Sequence, residues 1–374
     1  MSTPPFEQGP IRPPSEASSL LVRVVRNCGW NRCRFCPVYK DARPSVRPLD
    51  DVLADVDAMR AAADVLSGDP LPALRAGAVP REAWQVALFV RAGARAVFLQ
   101  DADPCAVKAE NLALVIERVR AAFATVDRVT TYGRAATLAR RRPADLDRLA
   151  AAGLSRVHVG MESGADAVLA RVDKGCTAAQ LVTAGRQVLA AGMELCFYVM
   201  PGLGGRDLAD EHVRGTADVL REVAAGAPAE RPLVVRLRTA AVVPGTPLAC
   251  DEAEGRFALP DDVEVAAELR ALLERLDGVR LELRSDHALN LMAGLEGSLP
   301  ADREELMRAL DEFLALPVAR QAEIALAARL GVVGRLRGHD DPSLAGASNA
   351  GRDAGLEQAA ERLDEAKRLR ARFL

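Results

Sequence analysis

From Ala94 to about residue 240 the chain repeats one pattern: an apolar run of strand length, a polar or glycine-bearing end, then a stretch with helical spacing. Residues 95–99 form such a run, and Leu112, Val115, Ile116 and Val119 mark an amphipathic helix behind it. Comparable runs follow at 128–132, 156–160, 195–199 and 233–238, each separated from the next by helical segments. With an earlier run at 19–26, the pattern predicts six strands of an α/β fold. Right-handed crossovers make such a sheet parallel. Ligand sites then gather at the C-terminal ends of the strands.

The flanks read differently. Residues 1–18 hold Pro4, Pro5, Pro10, Pro13 and Pro14 and are expected to form a flexible, extended arm. A helix over 48–59 has acidic residues in its first turns, as the helix dipole favours. The stretch up to Pro80 is broken by Gly68, Pro70, Pro72 and Gly77 and reads as a surface excursion. Beyond Leu259 the pattern is helical over 261–276, 288–295, 301–316 and 319–330, with a short strand candidate at 279–283. Residues 334–353, rich in Gly, Asp and Ser, read as a linker before a last amphipathic helix.

The first predicted strand runs into Asn27-Cys28-Gly29-Trp30-Asn31-Arg32-Cys33-Arg34-Phe35-Cys36-Pro37-Val38-Tyr39-Lys40. Three thiols within nine positions, spaced C-x4-C-x2-C, imply a loop wrapped around a metal. A structural zinc site normally closes with four ligands. Three thiolates suit an iron–sulfur cluster with one iron left open. A non-enzymatic zinc or electron-transfer protein on the same scaffold remains the rival reading; the polar residues at the strand ends speak against it.

At these residues the chain resembles the radical S-adenosylmethionine enzymes. That family has a three-Cys loop after its first strand and an aromatic residue before the last Cys, here Phe35. The common spacing is C-x3-C-x2-C, and this chain has one residue more between Cys28 and Cys33. The resemblance covers roughly residues 19–250. It implies a partial (β/α)6 TIM-type barrel with a mostly helical C-terminal extension. The expected division is a flexible arm over 1–18, the barrel over 19–250, the extension over 251–332, a linker over 333–353 and a C-terminal helix over 354–374.

The resemblance also implies cofactors, a [4Fe–4S] cluster on Cys28, Cys33 and Cys36 with S-adenosylmethionine on the open iron, and partners. The partners are a one-electron donor such as flavodoxin or ferredoxin and an organic substrate, small molecule or peptide. Reductive cleavage of the cofactor would then start radical chemistry. Transfer of a 3-amino-3-carboxypropyl or methyl group is the enzymatic alternative. Cofactor contacts are expected from Tyr39, from Gln100, Asp101 and Asp103 after the second strand, and from Glu162 and Ser163 after the fourth. Lys174, before a glycine, matches the family's carboxylate-binding basic residue, and Met200 and Gly202 match its adenine-facing stretch. Arginine holds carboxylates with a planar fork. Arg134, with Tyr132, and Arg238 could each bind the cofactor or an acidic substrate; Arg134 is expected to serve the cofactor and Arg238 the substrate, and His287 is a further substrate candidate.

Composition narrows the rest. Net charge is −3, so no global field points to nucleic acid or an anionic membrane. No apolar run is long enough for a membrane span, and no signal pattern opens the chain, so a cytoplasmic location is expected. Cys105, Cys176, Cys196 and Cys250 are scattered and read as small buried hydrophobes.

Overall fold

A computed structural model describes residues 6–66, 68–330 and 356–373. The expected linker over 333–353 lies outside the described residues. Five of the strands are, in chain order, β1 (Leu20–Arg23), β2 (Val25–Arg26), β3 (Ser45–Val46), β4 (Ala96–Gln100) and β5 (Arg128–Tyr132). The others are β6 (Leu154–Glu162), β7 (Glu194–Val199), β8 (Leu233–Leu237), β9 (Leu281–Arg284) and β10 (Gly297–Leu299). The main sheet has the order β1-β4-β5-β6-β7-β8-β9-β10, while β2 and β3 form a small antiparallel pair.

The six expected strands occur in their expected order, and the topology is that of the α/β partial barrel. Two details differ. The 19–26 run breaks at Val24, so β2 leaves the main sheet to pair with β3. The 279–283 candidate becomes β9, which pairs in parallel with β8, and β10 follows it antiparallel.

The chain divides into two compact units. The first holds the residues up to Asn31, Asp41–Val159 and Thr183–Leu195. Its strands bury Val97, Leu99, Val129 and Val157, each contributing roughly 1.5–3 kcal/mol of burial free energy. The described part of the N-terminal arm, expected to be flexible, is built into this unit. Glu16 is fully buried and takes both Arg128 Nη atoms at 2.9 Å, with His158 Nε2 at 3.6 Å. Glu7 pairs with Arg23 and Arg26, and Gly9 exchanges hydrogen bonds with Gln100. Buried charges need partners, and the arm supplies them.

The second unit holds Arg32–Lys40, Gly160–Val182 and the chain from Cys196 onward. This division does not follow the expected border at 250, because β8 and β9 pair over four consecutive residues and carry the sheet into the so-called extension. Helices there span Asp262–Arg275, Arg303–Leu314 and Val318–Arg329, close to expectation. Residues 288–295, expected to be helical, form turns instead. Asn290 binds Thr239 N, Leu237 O and Ser285 Oγ, which holds this segment against the end of β8 in a non-helical path. The last helix, Leu356–Leu369, leads to Arg370, which is fully buried beside Asp262.

Candidate functional site

Strand alternation separates two faces. In β6 Val157, Val159 and Met161 are fully buried on one side, so His158, Gly160 and Glu162 share the other. In β7 the same holds for Leu195, Phe197 and Val199 against Cys196 and Tyr198. Of the residues singled out from the sequence, Glu162 lies on this second face, at the C-terminal end of β6.

In the second unit, Glu162 ends β6 with φ 63°, a left-handed conformation that is unfavourable for a side chain of this size. Its Oε1 accepts Lys174 Nζ at 2.8 Å, and the pair is largely buried. Lys174 sits in a sharp turn between Asp173 (φ 47°) and Gly175 (φ 71°), which turns its side chain back onto the strand end. Burial acts to lower the Lys174 pKa, but Glu162, Cys33 and Cys176 outweigh it and raise the value above that of an ordinary lysine. The ammonium also lies 5.9 Å from the centre of the Phe35 ring. A side chain at Gly160 would occupy this space, since its Cβ would fall 2.4 Å from Glu162 Oε1 and 2.9 Å from Lys174 Nζ.

The Cys33–Cys36 stretch is knit into the same unit. Arg34 N–H donates to Val172 O, Arg34 O accepts Leu248 N–H, and the Arg34 guanidinium pairs with Asp251. Phe35 packs against a core cluster that includes Val172, Met200, Leu203 and Phe257. Met200 is therefore a core residue by packing, and Tyr39 is buried as well. Gly202 adopts φ 87° and donates its N–H to Glu268 Oε1 at 2.8 Å.

In the first unit, Cys28 lies between Asn27 (φ 64°) and Asn31 (φ 48°), two left-handed residues that bend the loop around it. Asn31 N–H donates to Cys28 Sγ at 3.4 Å. Asp101, expected to face a cationic cofactor, is fully buried and takes Arg23 Nε at 2.8 Å and Asn27 N–H at 3.3 Å. Its carboxylate thus anchors the root of the cysteine loop. Gln100 is occupied by Gly9 and Ile11 of the arm. Asp103 accepts Arg134 N–H and the Thr137 hydroxyl; burial pushes its carboxyl pKa up against both. The Arg134 guanidinium stacks 5.1 Å from the Trp30 ring centre, and the Tyr132 ring meets Phe98 edge-on at 4.9 Å.

The substrate candidates lie in the second unit. Arg238 continues the β8 ladder through its N–H to Val199 O at 2.9 Å, and its Nε is buried with no hydrogen-bond partner among the described residues. Its strand neighbour Arg236 is paired with Asp286. His287 Nδ1 accepts Leu289 N–H and belongs to the turn there. Ser163 is fully buried, and its hydroxyl meets His212 Nδ1 at 2.9 Å. His212 meets Ser163 and Glu268 meets Gly202, and neither was singled out from the sequence, because each lies on a helix far along the chain with no local motif. Of the scattered thiols, Cys105 and Cys196 are buried as expected, whereas Cys176 is half-buried and Cys250 exposed.

Cys28, Cys33 and Cys36 are all half-buried, and none is in a disulfide. Among the described residues no group of three or more His, Cys, Asp or Glu side chains is gathered closely enough to ligate a metal. The chemistry of the donor set still fits an iron–sulfur cluster, with three thiols in one short loop and no fourth.

The fold is that of an α/β enzyme. The chain belongs to the Radical SAM superfamily, whose pattern it matches over residues 22–217, just over half its length. The cofactors of that superfamily are a [4Fe–4S] cluster and S-adenosylmethionine, and its members require an electron donor.

No curated protein matches the sequence. Among solved structures it is similar to N-terminally truncated Elp3 of the archaeon Methanocaldococcus infernus, at 14% identity over 54% of this chain and 50% of that one, TM-score 0.42. It is similar to the cobalamin-dependent S-adenosylmethionine radical enzyme OxsB with aqua-cobalamin and S-adenosylmethionine bound, at 12% identity over 95% and 54%, TM-score 0.46. It is also similar to the radical S-adenosylmethionine methyltransferase TsrM of Kitasatospora setae, at 18% identity over 68% and 44%, TM-score 0.44. The chain spans about half the length of these structures. No helix of the described residues is long and apolar enough to cross a membrane.

Proposed function

We propose that this chain reductively cleaves S-adenosylmethionine to 5′-deoxyadenosyl radical and methionine and applies the radical to an organic substrate, small molecule or peptide. Cys28, Cys33 and Cys36 hold the cluster, which when reduced supplies the electron that breaks the carbon–sulfur bond. The observation that carries this reading is the Glu162–Lys174 pair, a buried ion pair at a strained strand end beside Phe35. A structural metal site has no use for it. Lys174 holds the methionine carboxylate, Glu162 the ribose hydroxyls, and the turn at Met200 and Gly202 lies against adenine. Arg134 is read as a further cofactor contact.

Arg238 is read as the anchor for an anionic group of the substrate. A guanidinium nitrogen buried without a partner is costly, and a carboxylate or phosphate would complete it. Flavodoxin or ferredoxin fits the donor role, and the oxygen-sensitive cluster suits the reducing cytoplasm.

The test is product identity. Anaerobically reconstituted protein, reduced with dithionite and given S-adenosylmethionine, is expected to release 5′-deoxyadenosine and methionine. Methylthioadenosine as the main enzyme-dependent nucleoside would mean aminocarboxypropyl chemistry and overturn the reading.

A further inference from the structure

Behind the strand ends of β6 and β7 runs a buried chain of polar groups. Ser163 Oγ lies 2.9 Å from His212 Nδ1, His212 Nε2 lies 3.4 Å from Glu268 Oε1, and the same oxygen accepts Gly202 N–H at 2.8 Å. Ser163 Oγ also accepts Ala165 N–H at 3.1 Å. The imidazole thus bridges the Ser163 hydroxyl on one ring nitrogen and Glu268 on the other. All three side chains are buried.

The helix carrying His212, Ala209–Ala224, cannot slide. A Cβ on Gly164 would fall 2.2 Å from Gly215 O, a Cβ on Gly204 would fall 3.0 Å from His212 Cβ, and Thr216 Oγ1 accepts Gly164 N–H at 3.0 Å. Two strand ends far apart in sequence are thus tied to one rigid helix and, through Glu268, to the helix Asp262–Arg275.

We propose that His212 and Glu268 are positioning residues for the cofactor: they hold the strand end at Glu162–Ser163 and the turn at Gly202 in one register, and the charge on Glu268 sets how firmly the turn is held. This rests on the reading that those two stretches face S-adenosylmethionine. Burial pushes the Glu268 carboxyl up to about 7, against the Gly202 N–H and the Arg370 charge, and burial takes His212 down to about 4. The groups facing the pair are Ser163, the Gly202 N–H and Arg370. At neutral pH the imidazole is uncharged and Glu268 is the group that titrates. Ionising it costs the fold as a whole, since burial dominates. Its bond to Gly202 nevertheless strengthens, because a charged acceptor binds roughly twice as well as a neutral one.

The experiment measures S-adenosylmethionine affinity of the reconstituted holoenzyme between pH 5.5 and 8.5, with the hydrogen-exchange protection of residues 200–205 over the same range. The wild type is expected to bind about fivefold more tightly above a midpoint near 7, with protection rising in step. Glu268→Gln is expected to remove the step and stay at the weaker level with iron content unchanged. A step that persists in Glu268→Gln, or one that vanishes without a change in protection, overturns the proposal. Should Glu268→Gln fail to fold, His212→Asn, which leaves Glu268 on the Gly202 N–H, is expected to keep the step at lower affinity across the range, and wild-type affinity in that variant overturns the positioning role. The parent reading fails separately, if Glu162→Ala and Lys174→Ala bind S-adenosylmethionine like the wild type.

Discussion

Gly160→Ala should damage the cofactor site and spare the fold. An alanine Cβ here would lie 2.4 Å from Glu162 Oε1, whereas ordinary contact begins at 3.4 Å, so the carboxylate must retreat by about 1 Å. The Lys174 ammonium, 2.9 Å from the same point, must move with it. Both obstructing atoms are ends of rotatable side chains, so the backbone of β6 need not shift. Alanine also recovers about 0.5–1 kcal/mol of backbone entropy relative to glycine in a strand. The melting temperature should therefore hold or rise slightly. A hydrogen bond to a charged group contributes ~1.5–3 kcal/mol. Losing about half of one at the cofactor weakens S-adenosylmethionine binding by about tenfold, or about 1.4 kcal/mol. The assay is equilibrium binding to anaerobically reconstituted protein, with iron and sulfide counted in the same sample. Wild-type affinity in a fully loaded variant would remove the ion pair from the site. A fall of more than about 5 °C in melting temperature would show that the side chains do not yield as argued.

Two other outcomes are expected. Cys28→Ala, Cys33→Ala and Cys36→Ala should each abolish [4Fe–4S] loading, read as loss of the charge-transfer absorbance after iron and sulfide addition; stable zinc at one equivalent in the wild type would refute the cluster. Burial acts to raise the Glu16 pKa, but His158, Arg128 and Ser19 prevail and hold it at about 2 against an ordinary 4.5. Its contribution is therefore present above pH 4.5 and is lost as pH falls toward 2, and by linkage it amounts to about 3 kcal/mol. Denaturant unfolding should find Glu16→Gln less stable than wild type by about that order at pH 7, with the gap closing toward pH 2; a gap independent of pH would mean the charge is not what anchors the arm.

Local pattern made much of this protein legible. Strand and helix periods are properties of neighbouring residues, so the six β/α units could be read directly, and the thiols could be read because they fall in nine consecutive positions. Lys174 stood out because the chain has only four lysines. What stayed hidden depends on partners distant in sequence. The arm looked loose until Glu16 met Arg128, Asp101 looked like a ligand for a cation until Arg23 filled that place, and 288–295 had helical spacing until Asn290 was drawn to Thr239. His212 and Glu268 carry no motif at all, and they acquire a role only because two helices bring them to Ser163 and Gly202. A charge or polar group in an open chain is satisfied by water wherever it sits. Burial removes the water and forces each such group to take a protein partner, and the identity of that partner is a property of the tertiary structure alone.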